Sequence, residues 1–235
     1  TMGKGSDCMQ YGKMVEGRFL ARPNRFIAHI EINGKTEVCH VKNTGRCKEL
    51  LVPDATVYIQ KSDNPNRKTA YDLIGVKKGE RLVNMDSQAP NQAVEEWLRK
   101  GNLFSQNAVI RREVVYGESR FDFYVEDGER KAFLEVKGVT LEEEGIASFP
   151  DAPTERGVKH IKELVKCIQD SYEAYLLFVI QMKGITEMRP NDGTHAAFGE
   201  ALREAAHQGV KILAYDCFVS MNEMVLEAPV TVNLS

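Results

Sequence analysis

Two acidic side chains and a lysine lie close together in the segment 120–138, which reads RFDFYVEDGERKAFLEVKG. The pair Asp127-Gly128 is a strong turn signal, so the segment predicts two strands joined by a tight turn. A loop of residues 127–130 would place Asp122 directly opposite Glu135. A turn of only Gly128 and its neighbour would leave the two diagonal, still on one face. Adjacent carboxylates repel each other, and a divalent cation bound by both is the simplest compensation.

Asp122 followed by Glu135-x-Lys137 on a hairpin resembles the pattern of the PD-(D/E)xK nuclease superfamily, and this resemblance implies the chemistry of a metal-dependent phosphodiesterase. Asp122, Glu135 and the carbonyl oxygen of Val136 would bind Mg²⁺ or Mn²⁺, and the ion would polarise a scissile phosphate. Lys137 lies on the same strand face as Glu135, where it would position the attacking water or stabilise developing charge. Glu-x-Lys is a frequent tripeptide that also suits a solvated strand face. Here it interrupts an apolar run, FLEVKGV, which favours the functional interpretation.

The elements around the hairpin predict a mixed α/β domain. Alternation predicts that Phe121, Phe123 and Val125 share one strand face. The helical pattern that starts at Glu155 has Thr154 as its N-cap. The order strand, hairpin, helix, strand, helix, strand predicts a central mixed sheet with helices on both faces. The expected strands are 109–116, 175–181 and 210–215, and the expected helices are 91–100, 155–170 and 194–208.

Before this domain, five strands and one short helical segment predict an OB-type β-barrel. The expected strands are 14–20, 26–32, 36–41, 56–60 and 69–77, with the helical segment at 47–51. The joint is expected at 79–84. This gives a polar lead that is a tag or disordered (1–13), a barrel domain (14–81) and an α/β domain (82–235). The candidate phosphate contacts are loop cations, which could equally be solvated charges: Arg46, Lys48, Arg67 and Lys68.

Three segments carry a resemblance to a known family. They are EVKGVTL at 135–141, FPDAPTERG at 149–157 and KHIKEL at 159–164. Together they resemble the SfsA family, the "sugar fermentation stimulation" proteins, from about Met14 to the end of the chain. The hairpin pattern itself resembles the PD-(D/E)xK nuclease superfamily.

The resemblance implies further site residues. Glu96, favoured over Glu95, would contribute a carboxylate ligand from the first helix, and Arg156 would bind a phosphate near the metal. It also supports the segments 43–46 (NTGR) and 67–69 (RKT) as motif positions. The fold that it implies is an OB-type barrel followed by a restriction-endonuclease-like domain.

The distribution of charge along the chain and the lack of a long apolar run limit the classes of function that are expected. Residues 1–81 hold 15 Lys and Arg against 9 Asp and Glu, whereas residues 82–235 hold 16 against 25. An overall charge of −3 argues against a non-specific nucleic-acid coat, but a basic module joined to an acidic one suits a binding face beside a carboxylate site. No apolar run is long enough to span a bilayer, and the lead does not resemble a signal peptide, so a cytoplasmic location is expected.

Two other acidic or metal-binding features have ordinary explanations. Five cysteines without a CxxC pattern indicate reduced thiols rather than a site built on Cys39, His40 and Cys47. The acidic run at 142–144 is expected to be a solvated loop more than a metal site.

Two functions from different classes remain open, with a third behind them. One is a nuclease acting on DNA, with RNA or single strands as alternative substrates. The second is a catalytically silent DNA-binding regulator of sugar (maltose) metabolism genes, which the family resemblance implies. A sugar-handling protein ranks last. The oligomeric state is not predicted, and a dimer is compatible with the sequence.

Overall fold

The computed structural model describes residues 9–43 and 45–235, and it begins with a β-barrel. Its strands run in the order β3-β2-β1-β4-β5-β6, and parallel pairing of β3 with β5 closes the barrel. Asn33 and Gly34, both with positive φ, form the tight turn between β2 and β3, as their sequence indicates. The strand bounds are β1 Met14–Asn24, β2 Ile27–Ile32, β3 Lys35–Val41, β4 Thr56–Lys61, β5 Tyr71–Lys78 and β6 Arg81–Asn84.

The second domain has the predicted mixed sheet, in the order β15-β14-β12-β9-β8-β7. The three central strands are parallel, and antiparallel strands complete both sides. Its strands are β7 Val109–Tyr116, β8 Ser119–Asp127, β9 Arg130–Val139, β12 Glu173–Ile180, β14 Lys211–Val219 and β15 Met224–Pro229. Its helices are α1 Ala89–Arg99, α2 Glu155–Gln169 and α3 Asp192–His207. The predicted cap is confirmed, because the Thr154 side chain accepts a hydrogen bond from the Gly157 amide.

A small second sheet was not predicted, because its strands are too short to show a periodicity. It runs in the order β10-β11-β13-β16. Its strands are β10 Glu142–Glu143, β11 Ile146–Phe149, β13 Glu187–Pro190 and β16 Thr231–Val232.

Helices cover both faces of the central sheet. Apolar residues of α1 pack with Phe123, Val125 and Leu134 in one buried cluster, whereas those of α2 and α3 pack with Phe121 and Phe133 in another. The expectation that Phe121, Phe123 and Val125 share one face is therefore wrong for Phe121. The pairing of β8 with β9 stops at Phe123, so the alternation is broken at the next residue toward the start of β8, which is Asp122.

The domain joint lies later than expected. Residues 81–84 form β6, which pairs with β5 and belongs to the barrel sheet. The expected helix at 47–51 is a single turn, in which the Leu51 amide donates to the Cys47 carbonyl oxygen at 3.0 Å.

The expected lead, 1–13, is only partly described, since residues 1–8 lie outside the described part. Met9 and Tyr11 are buried, and the Tyr11 amide donates to the carbonyl oxygen of Asn222. Residues 9–13 are therefore not a disordered lead, because two apolar side chains there are packed against the second domain. No helix in the described ranges is long and apolar enough to cross a membrane.

Candidate active site at the end of the central hairpin

The hairpin of β8 and β9 sets the register of the two candidate metal ligands. Gly128, with φ +62°, and Glu129 form the turn, and Asp127 pairs with Arg130. Continuing this register one residue past the last pair places Asp122 opposite Glu135. The turn is thus the shorter of the two alternatives, Gly128 and its neighbour, and the expectation that this turn would leave Asp122 and Glu135 diagonal is wrong.

Where the pairing of β8 with β9 ends, the side chain of Asp122, rather than the backbone of β8, accepts the next hydrogen bond from β9. One of its oxygens accepts a hydrogen bond from the Val136 amide at 2.7 Å, and the other accepts from the Asn91 side chain of α1, also at 2.7 Å. Burial and the nearby charge of Glu135 raise the pKa of Asp122 to about 6, although both hydrogen bonds oppose the rise. The metal-free protein therefore holds this carboxylate against its electrostatic preference.

Glu135 is buried and has one satisfied and one unsatisfied oxygen. Its Oε1 atom accepts from Lys137 Nζ at 2.6 Å and from His160 Nδ1, whereas its Oε2 atom is buried without a hydrogen-bond partner. Burial alone would raise the pKa of Glu135, but the His160 hydrogen bond and the Lys137 charge outweigh it, so the pKa is lowered. Glu135 is thus an ionised carboxylate with one oxygen still available to a ligand.

His160 is a site residue that the sequence analysis did not identify. It is buried on α2, one turn after Arg156, whose Nε atom lies 3.3 Å from His160 Nε2. If Nε2 accepts from Arg156, then Nδ1 carries the proton and donates to Glu135. The spacing of Arg156 and His160, i and i+4 outside the apolar stripe of the helix, was the available signal. Arg156 is exposed and reaches the candidate site through this histidine.

On α1, Glu95 and Glu96 have different surroundings. Glu95 forms ion pairs with Arg99 and Arg112, whereas Glu96 Oε2 is buried without a hydrogen-bond partner. The preference for Glu96 stays a prediction, and its unpartnered oxygen favours it. The direct contact between α1 and Asp122 is made by Asn91, which the sequence analysis also missed.

The donor set suits a hard divalent cation such as Mg²⁺ or Mn²⁺, which prefers oxygen ligands and retains water. Carboxylates at 122 and 135 are adjacent, and each of Glu135 and Glu96 has a buried oxygen without a partner. Among the described residues, no three His, Cys, Asp or Glu side chains gather into a ready ion site. Two carboxylates, a backbone carbonyl and water would therefore have to complete the coordination. The alternative site at Cys39 and Cys47 gains no support, since both thiols are buried and free and burial raises their pKa to about 12.

The four candidate phosphate contacts fall into two groups. Arg46 and Lys48 are exposed and line one cleft of the barrel. Arg67 donates twice to the buried carboxylate of Asp72, at 2.8 and 2.5 Å, while its neighbour Lys68 is exposed. The structure does not bring these four cations together, and their contact with phosphate stays a prediction.

Asn43 and Arg46 lie against the second domain, beside the candidate active site. The Arg46 amide donates to Asp151 Oδ2 at 3.0 Å, and Asn43 and Asp151 line a small cleft with Gly138, the residue after Lys137. Thr44 lies outside the described residues. Two of the motifs that were separate in sequence, NTGR and FPDA, thus meet at the end of β9.

The acidic run at 142–144 is not a uniformly solvated loop. Glu143 and Glu144 are exposed, but Glu142 is buried and forms ion pairs with Lys78 at 2.8 Å and Arg81 at 2.7 Å. The expectation fails for Glu142 because the hairpin of β5 and β6 brings two cations to it. Gln181, at the end of β12, donates to Asn84 and to the Asp86 carbonyl oxygen, so it also lies at the domain junction.

Comparison with known proteins gives a consistent result over both domains. Residues 20–85 match a family described as the SfsA N-terminal OB domain, and residues 88–223 match one described as the sugar fermentation stimulation protein RE domain. Among curated proteins, a sugar fermentation stimulation protein homolog of Ruminiclostridium cellulolyticum is 60% identical over 96% of this chain and 100% of its own length. A homolog from Clostridium beijerinckii is 59% identical over 90% of this chain and 93% of its own length.

A solved structure is similar over almost the whole chain. It is SfsA of Pyrococcus furiosus in complex with Ca²⁺, with a TM-score of 0.87 and 28% sequence identity. The match covers 96% of this chain and 98% of the other. The two-domain architecture, a barrel followed by a mixed α/β sheet, is therefore shared with that protein.

Proposed function

We propose that this chain, which belongs to the SfsA (sugar fermentation stimulation protein) family, is a metal-dependent phosphodiesterase that acts on nucleic acid. The observation that carries the proposal is the meeting of Asp122, Glu135 and Lys137 where β8 separates from β9. One buried oxygen of Glu135 lacks a hydrogen-bond partner there.

Binding of a divalent ion would offset the burial and the repulsion from Glu135 that together raise the pKa of Asp122. Asp122, Glu135 and the carbonyl of Val136 would hold Mg²⁺ or Mn²⁺, with Glu96 as the contribution of α1. When bound, such an ion supplies Lewis acidity toward a phosphate oxygen and lowers the pKa of a bound water. The Ca²⁺ complex of the Pyrococcus furiosus relative supports a cation site in this fold.

The side chains around the carboxylates have distinct tasks in this proposal. Lys137, whose side chain is 15% exposed, keeps Glu135 ionised and offers further N–H donors to a water or a phosphate oxygen. His160 fixes Glu135 Oε1 from the other side, which leaves Oε2 for a ligand. Arg156 is exposed and forms no ion pair within the described residues, so its guanidinium group is available to bind a phosphate.

A DNA-binding protein without turnover is the second candidate. The observation in its favour is that Lys137 and His160 both bind Glu135 Oε1, so the carboxylate charge is already compensated without an ion. In that protein the same residues would stabilise the fold, and the barrel cations would bind DNA. Such a protein could act as a regulator of sugar metabolism genes.

Cleavage assays distinguish the two candidates. Purified protein is incubated with single- and double-stranded DNA and RNA in Mg²⁺, Mn²⁺ or EDTA, together with Lys137→Ala and the matched control Lys131→Ala. Lys131 is an exposed lysine near the other end of β9. We expect metal-dependent cleavage that Lys137→Ala lowers about 10²–10³-fold and Lys131→Ala leaves unchanged.

The binding-only function is supported if no substrate is cut in a way that Lys137→Ala abolishes. Cleavage that is equal in wild type and Lys137→Ala indicates a contaminating nuclease and counts against the proposal.

A further inference from the structure

A cleft on the barrel collects four cations beside the turn between β1 and β2. It has a volume of about 360 Å³ and lies between that turn and the segment 45–51. Three of its cations are exposed, and the fourth, Arg22, is partly buried. The four cations are Arg22, Arg25, Arg46 and Lys48.

The cations of this cleft have no carboxylate partners in the described part of the chain, since the Asp151 carboxylate contacts Arg46 only through its backbone amide. Within residues 9–43 and 45–235, none of its four cations forms an ion pair with a carboxylate. Arg22 instead donates to the backbone carbonyl oxygens of residues 25, 43, 45 and 46, at 2.8–3.0 Å. The four carbonyl oxygens accept from the two terminal nitrogens of Arg22, its buried Nε atom has no hydrogen-bond partner, and no carboxylate pairs with its charge, so Arg22 both orders the two loops and makes the cleft positive.

An exposed aromatic ring stands beside these cations. Phe26 is 44% exposed, and the Arg25 guanidinium group lies 4.7 Å from the centre of its ring. The backbone that carries the ring is held in place, because the Phe26 amide donates to the Asn24 side chain and the Phe26 carbonyl oxygen accepts from the Val41 amide. An exposed ring on an ordered backbone, next to cations that no carboxylate pairs with in the described residues, suits a ligand that has both a flat apolar face and negative charge.

A second cleft shows that this combination is not a general property of the surface. Phe218 is 45% exposed and lines a cleft of about 560 Å³ with Lys78, Arg81 and Lys183. All three of those cations are paired with carboxylates of the chain, namely Glu142, Asp216 and Glu227. Exposed phenylalanine therefore occurs in both clefts, but of the two only the barrel cleft has cations that pair with no carboxylate among the described residues.

We infer that the barrel cleft binds single-stranded nucleic acid, with an unpaired base stacked on Phe26 and backbone phosphates against Arg25, Arg46 and Lys48. In a duplex the base faces are covered by their neighbours, so an exposed ring gains little from double-stranded DNA. An unpaired base offers its face freely. The inference rests on the proposed action on nucleic acid and adds the strandedness of the substrate.

The cleft is connected to the candidate active site by a short piece of chain. Residues 45 and 46 line the cleft, and Asn43 faces Gly138 next to Lys137. A nucleic-acid strand bound in the cleft could therefore extend past Arg46 and Asn43 toward the carboxylates.

The test measures binding in EDTA, so it does not depend on catalysis. Fluorescence anisotropy compares a labelled single strand, as DNA and as RNA, with the same sequence in a duplex. The variants are Phe26→Ala, Phe26→Leu, the double variant Arg46→Ala/Lys48→Ala, and Phe218→Ala as the matched control. Circular dichroism checks that each is folded.

We expect Phe26→Ala to weaken single-strand binding about five- to 100-fold, the loss of one stacked base, and duplex binding by less than twofold. Phe26→Leu should lose most of the same affinity, since leucine keeps the apolar bulk but not the flat ring. Loss of two phosphate contacts in Arg46→Ala/Lys48→Ala should reduce the slope of log K against log salt by about 1.4. Phe218→Ala should bind like wild type.

The inference is overturned if Phe26→Ala binds single strands as tightly as Phe218→Ala. It is also overturned if the Phe26 variants weaken duplex and single-strand binding equally, which would indicate a duplex-binding surface. Phe26-dependent binding in a protein that cuts nothing would refute the proposed catalysis and leave this inference standing.

Discussion

The buried ion-pair cluster at Glu142 gives a prediction whose magnitude follows from the structure. Glu142 accepts hydrogen bonds from Lys78 and from the Gly145 amide and forms an ion pair with Arg81, so a residue of the second domain is bound by two cations of the barrel. Burial alone would raise the pKa of Glu142, but these donors lower it to about 2 from an ordinary 4.5. We predict that Glu142→Gln loosens this junction and destabilises the protein.

The expected size depends on pH in a defined way. A difference of about 2.5 pKa units corresponds to about 3 kcal/mol of unfolding free energy at pH 7, at about 1.36 kcal/mol per unit. Because the folded-state pKa is the lower one, this contribution is complete above pH 4.5 and is lost as the pH falls through about 2. At pH 3.5 it should be about 2 kcal/mol. The variant should therefore be about 3 kcal/mol less stable than wild type at pH 7 and about 2 kcal/mol less stable at pH 3.5.

Urea unfolding with two probes measures the effect. Trp97, the single tryptophan, lies on α1 and reports the second domain by fluorescence, while far-ultraviolet circular dichroism reports the whole chain. Glu143→Gln is the matched control, since the Glu143 side chain lies in the same short strand, β10, but is exposed. The reasoning is refuted if Glu142→Gln and Glu143→Gln are equally stable at pH 7, or if the loss in Glu142→Gln grows as the pH falls.

Two further predictions concern the candidate active site. Asp122→Asn should leave the metal-free protein at least as stable as wild type at pH 8, because a pKa raised to about 6 means that the ionised carboxylate opposes folding above that pH. Mn²⁺ should raise the melting temperature of wild type but not of this variant, and a full shift in both would place the ion elsewhere. Gly138→Ala should cost about 1–3 kcal/mol in urea unfolding, because its Cβ would lie 2.6 Å from Gln181 Oε1 and 2.9 Å from Pro90 Cγ. Wild-type stability in Gly138→Ala would show that these side chains move aside freely.

The sequence predicted the elements that have strong local signals. The Asp127-Gly128 turn, the alternation of β9 and the apolar stripe of α2 each specify their own structure, so the hairpin and the order of elements were predictable. The same local signals placed Asp122, Glu135 and Lys137 on one hairpin.

What the sequence did not predict depends on contacts between distant segments. His160 meets Glu135 across 25 positions, and Glu142 meets Lys78 across 64. Neither partner carries a local pattern that identifies the other. The break in alternation at Asp122 is also non-local, since it arises where β8 leaves β9 and α1 supplies Asn91.

The packing of residues 9–11 against the second domain has a consequence for how the chain is made. Gln10 forms a bridge with Glu223, and the Tyr11 amide donates to the Asn222 carbonyl oxygen, while the whole barrel lies between them in sequence. On the ribosome, the partners of residues 10 and 11 emerge more than 200 positions after them, or roughly 10–40 s later at usual elongation rates. The barrel can fold in that interval, whereas residues 9–11 can pack against the second domain only after residues 222 and 223 have emerged.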